Sequence, residues 1–209
     1  MRPLAHFETV WDRCAQLSAL HAYLAKHVSK VMQPDELLRA EWVARVSALD
    51  LYVHELVAQL MLEIFEGRRS AGAAYLQFQV STETLNRIRA AAPPSQASAA
   101  FDLYVRDYLS RITYQHPDDI ADGVRLCSTV ELWNEVAVAL GATPTTKIDR
   151  ARNLKKQLSL IVQRRNRIAH EGDLQQTPLR EPWPISQADL GVVATHISDV
   201  VRAIDAVVL

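Results

Sequence analysis

The sequence predicts an all-α protein, an up-and-down helical bundle with additional helices. Three observations point that way. Apolar residues recur at steps of three and four through most of the chain, the rhythm of helices that bury one face. Half of the residues are hydrophobic (49%), yet only 6 are glycine and 7% aromatic, a composition poor in the turn formers and ring side chains of β-rich domains. No segment alternates apolar and polar residues as a half-buried strand does. At 209 residues the chain is long enough to bury a substantial core as one domain over residues 1–209, with a less regular segment at about 67–126.

The elements follow in order. A first helix is predicted over 4–32, on a stripe of Phe7, Val10, Trp11, Cys14, Leu17, His21, Leu24, Val28 and Val31. His21 on that stripe reads as a hydrogen-bonded core or interface histidine. Pro34 stops this helix and Asp35 suits the cap of the next. Residues 35–66 carry the strongest pattern: Trp42, Val46, Leu49, Val53, Leu56, Leu60 and Ile64. Beside that stripe Asp50 and His54 are four apart and share a face, as a support for catalysis or as a polar contact between helices. His54-Glu55 opens like a zinc-protease HExxH, but position 58 is Ala, so that motif fails.

Residues 67–72 read as a turn, 82–91 as a short helix broken by Pro93-Pro94, and 98–112 as a further helix. Pro117-Asp118-Asp119 starts a turn or short helix. Ser128-Thr129-Val130-Glu131 has a capping-box signature before a helix through Trp133, Val136 and Leu140, with Gly141 placed to end it. Thr146 to Asp149 announce a long helix ending at Glu171-Gly172. A polar, proline-rich loop covers 173–187, and Ser186 to Asp189 cap a last helix through Leu190, Val193, Ile197, Val201, Ile204 and Val208.

Net charge is −1, so no global basic field advertises a nucleic-acid partner. Charge is nonetheless uneven: between Lys147 and Arg167 stand eight Lys or Arg and a single acid, Asp149. Cys14 and Cys127 form no metal or redox spacing and read as buried thiols of a reducing compartment. The N-terminal residues lack a signal-peptide pattern, and no apolar run approaches the roughly 18 residues that span a bilayer. The expected setting is the cytoplasm, with no membrane partner, no metal and no cofactor.

The basic helix end is the informative stretch. Leu154, Leu158, Ile161, Arg165 and Ile168 fall at steps of 4, 3, 4 and 3, so Arg165 stands where the core-facing pattern asks for a leucine. A guanidinium there is unfavourable unless an anion meets it. Ser159, Gln163, Asn166 and His170 form a polar seam beside it. Cations at a helix C-terminus are also favoured by the macrodipole alone, worth roughly 0.3–1 kcal/mol each. The misplaced Arg165 and the second seam are what that simpler account leaves out. Together Arg165, Asn166 and His170 suit metal-independent RNA cleavage: an imidazole to take or give a proton, a guanidinium to hold a phosphate oxygen and an amide to orient either. Transesterification uses both an acid and a base, and one motif supplies one histidine, so a two-fold dimer is expected.

Residues 165–170 (RNRIAH) resemble the R-polar-x3-His motif of the HEPN superfamily. More narrowly, 162–171 (VQRRNRIAHE) and 38–56 (LRAEWVARVSALDLYVHEL), with 133–141 (WNEVAVALG) between them, look like the RiboL-PSP-type HEPN domains. The resemblance covers about 38–62 and 126–172 and is loose elsewhere. It implies an all-α bundle, usually dimeric, with paired motifs in an interface cleft. It also implies metal-independent endoribonuclease activity, often in toxin–antitoxin or anti-phage settings. Carried onto this chain, Arg165, Asn166 and His170 are catalytic, and Asp50 and His54 support them. Arg164, Arg167, Lys155 and Lys156 are expected to guide the RNA backbone. Some members of the superfamily bind nucleotides or RNA without cutting, so a non-catalytic binding or dimerisation module, with a cognate antitoxin or defence partner, is the competing expectation.

Overall fold

The computed structural model describes residues 2–29 and 32–209, and within them the protein is all-helical. The helices are α1 (Pro3–His27), α2 (Glu36–Phe65), α3 (Ala73–Leu76), α4 (Thr82–Ala90), α5 (Pro94–Leu109), α6 (Pro117–Arg125), α7 (Leu132–Ala139), α8 (Lys147–Glu171) and α9 (Gln187–Val208). The extended pairing among the described residues is an isolated bridge between Leu174 and Pro182. No described helix is long and apolar enough to cross a membrane.

α2 is the axis of the bundle. Every member of its expected stripe, Trp42, Val46, Leu49, Val53, Leu56, Leu60 and Ile64, is buried, and so are Ala48, Tyr52, Val57, Ala58 and Met61 around the other sides. A helix apolar around most of its circumference is one with neighbours on all sides. α1 lies antiparallel to it, with Phe7 against Tyr52 and Ser18 bonded to Glu41. α5 runs antiparallel on another side, where Phe65 stacks on Phe101 at 4.4 Å and Arg106 pairs with Glu55. α8 is antiparallel as well, and α9 returns parallel to α2, tied by Tyr52 Oη donating to Asp205 Oδ1 at 3.1 Å. Between α1 and α2 a buried Arg45–Glu41 pair (2.6 Å) is covered by the Trp11 ring, 4.2 Å from the guanidinium carbon.

Residues 67–126 are more regular than the sequence suggests. They hold α3 to α6, and Phe101, Val105, Leu109, Tyr114, Ile120 and Val124 belong to the same core cluster as α2. Pro94, which reads as a breaker, is instead in the first turn of α5, where its missing N–H is harmless. Pro117 does the same for α6. Arg69, just beyond α2, donates to the Val208 carbonyl at the C-terminal end of α9, at 3.1 Å.

Other boundaries also shift. α1 ends at His27 because β-branched Val28 adopts extended backbone (φ −121°, ψ 157°); Val31, assigned to its stripe, lies outside the described residues. Asp35 holds the N-cap position of α2, but its carboxylate is turned to His21 Nε2 at 3.0 Å rather than to the helix amides. His21, also near Gln187 Nε2 (3.3 Å), is thus a hydrogen-bonded histidine between helices, as expected. The Ser128 box does not form. The Ser128 amide still closes the end of α6 on Val124 O, and α7 begins only at Leu132. The Ser186 box forms fully, with Ser186 and Asp189 bonded reciprocally. Cys14 and Cys127 are free and buried, and burial pushes the Cys127 thiol up to about 12.

Candidate functional site at the end of α8

α8 keeps its stripe to the last turns. Leu154, Leu158 and Ile161 are buried, Arg165 is half-buried at the next step, and Ile168 packs against the core beyond it. Gly172 ends the helix at φ 65°, a conformation that favours glycine, with its N–H on Arg167 O. Trp42 of α2 braces this end, donating its indole N–H to Ile161 O at 3.0 Å.

Arg165 is the misfit the stripe predicts. Its Nε is enclosed and has no hydrogen-bond partner, and Nη1 donates to Asn166 Oδ1 at 3.0 Å. Among the described residues no ion pair joins Arg165 to an Asp or Glu, although the bundle neutralises other inward arginines, Arg39 and Arg45, with carboxylates. Asn166 is half-buried, and His170, one turn further along the same side, is exposed with no side-chain bond among the described residues. Residues four apart on a helix have Cβ atoms roughly 5–6 Å from one another. Asn166 therefore stands between the guanidinium and the imidazole. An uncompensated guanidinium tied to an amide is a receptor for an oxyanion, and an exposed imidazole beside it can exchange a proton.

Arg164 does not fit the role of an RNA-guiding cation. Its Nη2 is 3.0 Å from Asp173 Oδ2 and 2.7 Å from Pro184 O, and its guanidinium lies over the Trp42 ring at 5.0 Å. Asp173 is fully buried and also takes Arg39 Nε at 3.2 Å, while Arg39 Nη2 reaches Trp183 O at 2.6 Å. One carboxylate thus ties α2, α8 and the loop beyond α8 together. Arg167 is half-buried and has no ion pair among the described residues. Lys156 is exposed, and Lys155 is 3.2 Å from Asp118. Ten residues separate Lys155 from Arg165, about 15 Å of helix.

No family model, curated protein or solved structure matches the chain.

Asp50 and His54 are not brought to this site within the protomer. Trp42 meets α8 at Ile161, and from there the antiparallel helices carry His54 and His170 in opposite directions, on the order of 30 Å apart at 1.5 Å per residue. Asp50 instead accepts the Tyr114 backbone N–H and lies 3.7 Å from His54 Nε2, while the His54 ring meets the Tyr114 ring edge-on at 4.8 Å. That is an anchor for the segment between α5 and α6.

Two features escape the sequence reading. The Asp173 latch is one, although Arg39 precedes Trp42 by three and so extends the α2 stripe just as Arg165 extends that of α8. The other is His196 on α9, buried, with Nε2 unpartnered and a bond to the Leu154 backbone; burial lowers its pKa below the ordinary histidine value. Among the described residues no three of His, Cys, Asp or Glu come together as a metal cage.

Proposed function

We propose that the protein is a HEPN-type, metal-independent endoribonuclease that works as a cytoplasmic homodimer in a toxin or anti-phage defence setting, with a cognate antitoxin or defence protein as a further partner. The observation that carries this reading is Arg165: a half-buried guanidinium with an enclosed Nε, an amide as its one hydrogen-bond partner and no carboxylate among the described residues. Such a group is complementary to a phosphate oxygen whose charge grows in the transition state. His170 of one protomer removes the proton from a ribose 2′-OH, the 2′-oxygen attacks the adjacent phosphorus, and the bond from phosphorus to O5′ breaks. A protonated His170 of the partner subunit gives its proton to the leaving O5′. The products are a 2′,3′-cyclic phosphate and a 5′-OH end. Asn166 holds Arg165 and orients the phosphate. Arg167 and Lys156 are the cations left to guide the backbone.

In the competing reading, a non-catalytic module, Arg165 would pair with an acidic residue of a partner protein or hold a nucleotide without cutting. The deciding experiment incubates purified protein with an RNA pool in EDTA and maps new ends. Cleavage with cyclic-phosphate ends, lost in both His170→Ala and Arg165→Ala proteins of unchanged helicity, is the expected result. Cleavage that requires added metal, or persists without His170, overturns the mechanism.

A further inference from the structure

The loop after α8 is held more firmly than a surface turn needs. Asp173 and Arg180 both adopt positive φ, 54° and 47°, and non-glycine residues keep such backbone only where their surroundings over-determine it. Here the surroundings do. Asp173 is latched by Arg39 and Arg164, the Trp183 N–H donates to Asp173 O at 2.7 Å, and the Gln175 N–H donates to Glu181 O at 2.9 Å. The Arg180 N–H closes a turn on Thr177 O at 3.1 Å. The result is a hydrogen-bonded hairpin set against the last turn of α8, bordering an open groove of about 510 Å³ lined by Glu171, Leu174, Gln175, Gln176, Thr177 and Arg180.

The lining is polar and mostly uncommitted. Gln175 donates its side-chain amide to Pro182 O at 3.3 Å. The side chains of Glu171, Gln176, Thr177 and Arg180 are exposed and make no hydrogen bond or ion pair with the described residues. Glu171 directly follows His170, their Cα atoms about 3.8 Å apart, so the groove begins beside the residue that carries the imidazole, although the two side chains leave the helix in different directions.

Resting on the ribonuclease reading, we infer that this groove is the subsite for the nucleotide next to the scissile phosphate, and that it takes a guanine of single-stranded RNA. The chemistry of the lining selects that base. An ionised glutamate only accepts hydrogen bonds, and guanine alone among the four bases offers it two parallel donors, N1–H and N2–H₂, on one edge. Gln176 and Thr177 can donate to guanine O6, and Arg180 meets the flanking phosphate. Splayed single-stranded bases are read on this edge, whereas paired bases hide it. Because the hairpin backbone is already hydrogen-bonded, binding has only side chains to order.

The test uses His170→Ala protein, which cannot cut, and fluorescein-labelled pentaribonucleotides of four uridines with G, A, C or U at the centre, read by anisotropy. The G oligomer should bind about tenfold more tightly than the others. Adding Glu171→Gln should remove that preference, and adding Arg180→Ala should weaken all four oligomers alike; both residues are exposed, so the fold survives. Equal affinity for the four, or a preference unchanged by Glu171→Gln, overturns the subsite. The two readings fail separately. Guanine-selective binding by a wild-type protein that cuts no RNA sinks the nuclease, and with it the place beside a scissile phosphate, but keeps the groove as a guanine-binding site. Cleavage indifferent to the neighbouring base sinks the subsite alone.

Discussion

Arg164 Nη2 stands 3.0 Å from Asp173 Oδ2, while Arg165, the next residue, has no carboxylate partner among the described residues. Adjacent arginines on one helix thus have opposite fates. Arg164 is neutralised inside the fold, and Arg165 is left with charge to offer.

Arg165→Leu should raise stability as it removes the proposed activity. A leucine restores the stripe of Leu154, Leu158 and Ile161 and deletes an enclosed, unpartnered Nε. Stabilisation of about 1–2 kcal/mol in urea unfolding is expected. A destabilised variant would mean that Arg165 is part of the protomer's own framework.

Asp173→Ala should be among the most damaging single changes. It leaves Arg39 and Arg164 side by side with no shared anion, and losing one partner from a buried ionic cluster costs about 3–5 kcal/mol. The urea midpoint reads the loss directly.

Asp50→Ala separates anchoring from catalysis. Removing the acceptor of the Tyr114 N–H should lower stability by about 1–2 kcal/mol. RNA cleavage per folded molecule should be unchanged, measured where the variant is fully folded. A fall in turnover under those conditions would restore Asp50 to the reaction, through the second protomer.

His196 should make stability sensitive to pH. Desolvation holds its folded pKa below the usual value of about 6.5, and among its neighbours Asp199 and the Leu154 carbonyl pull upward while Arg150 pushes down. The unfolded chain therefore takes the proton first. Stability is complete above about pH 6.5 and falls as pH drops from there toward the folded pKa. Melting temperatures at pH 7.5 and 5.5 should differ more for the wild type than for His196→Gln.

The sequence is most legible where one physical rule acts alone. The α2 and α8 stripes are set by burial, so their phase survives folding, and Arg165 lies where the stripe puts it. The Ser186 box forms because, among the described residues, no neighbour competes for its groups. Legibility fails where distant residues compete for a local signal. Asp35 has a cap's position, but His21 claims its carboxylate. Ser128 has a cap's sequence, but its amide is still closing α6. The pairing of Asp173 with Arg39 spans 134 residues, and no local pattern announces it.

Trp42 gives the site a built-in optical reporter. Its indole N–H rests on the Ile161 carbonyl, which by helical geometry also receives the Arg165 amide, and its ring faces the Arg164 guanidinium. Tryptophan emission follows the polarity and charge around the ring. With Trp11, Trp133 and Trp183 changed to phenylalanine, the remaining fluorescence would register an anion arriving at Arg165 or a second protomer closing over α8, without any attached dye.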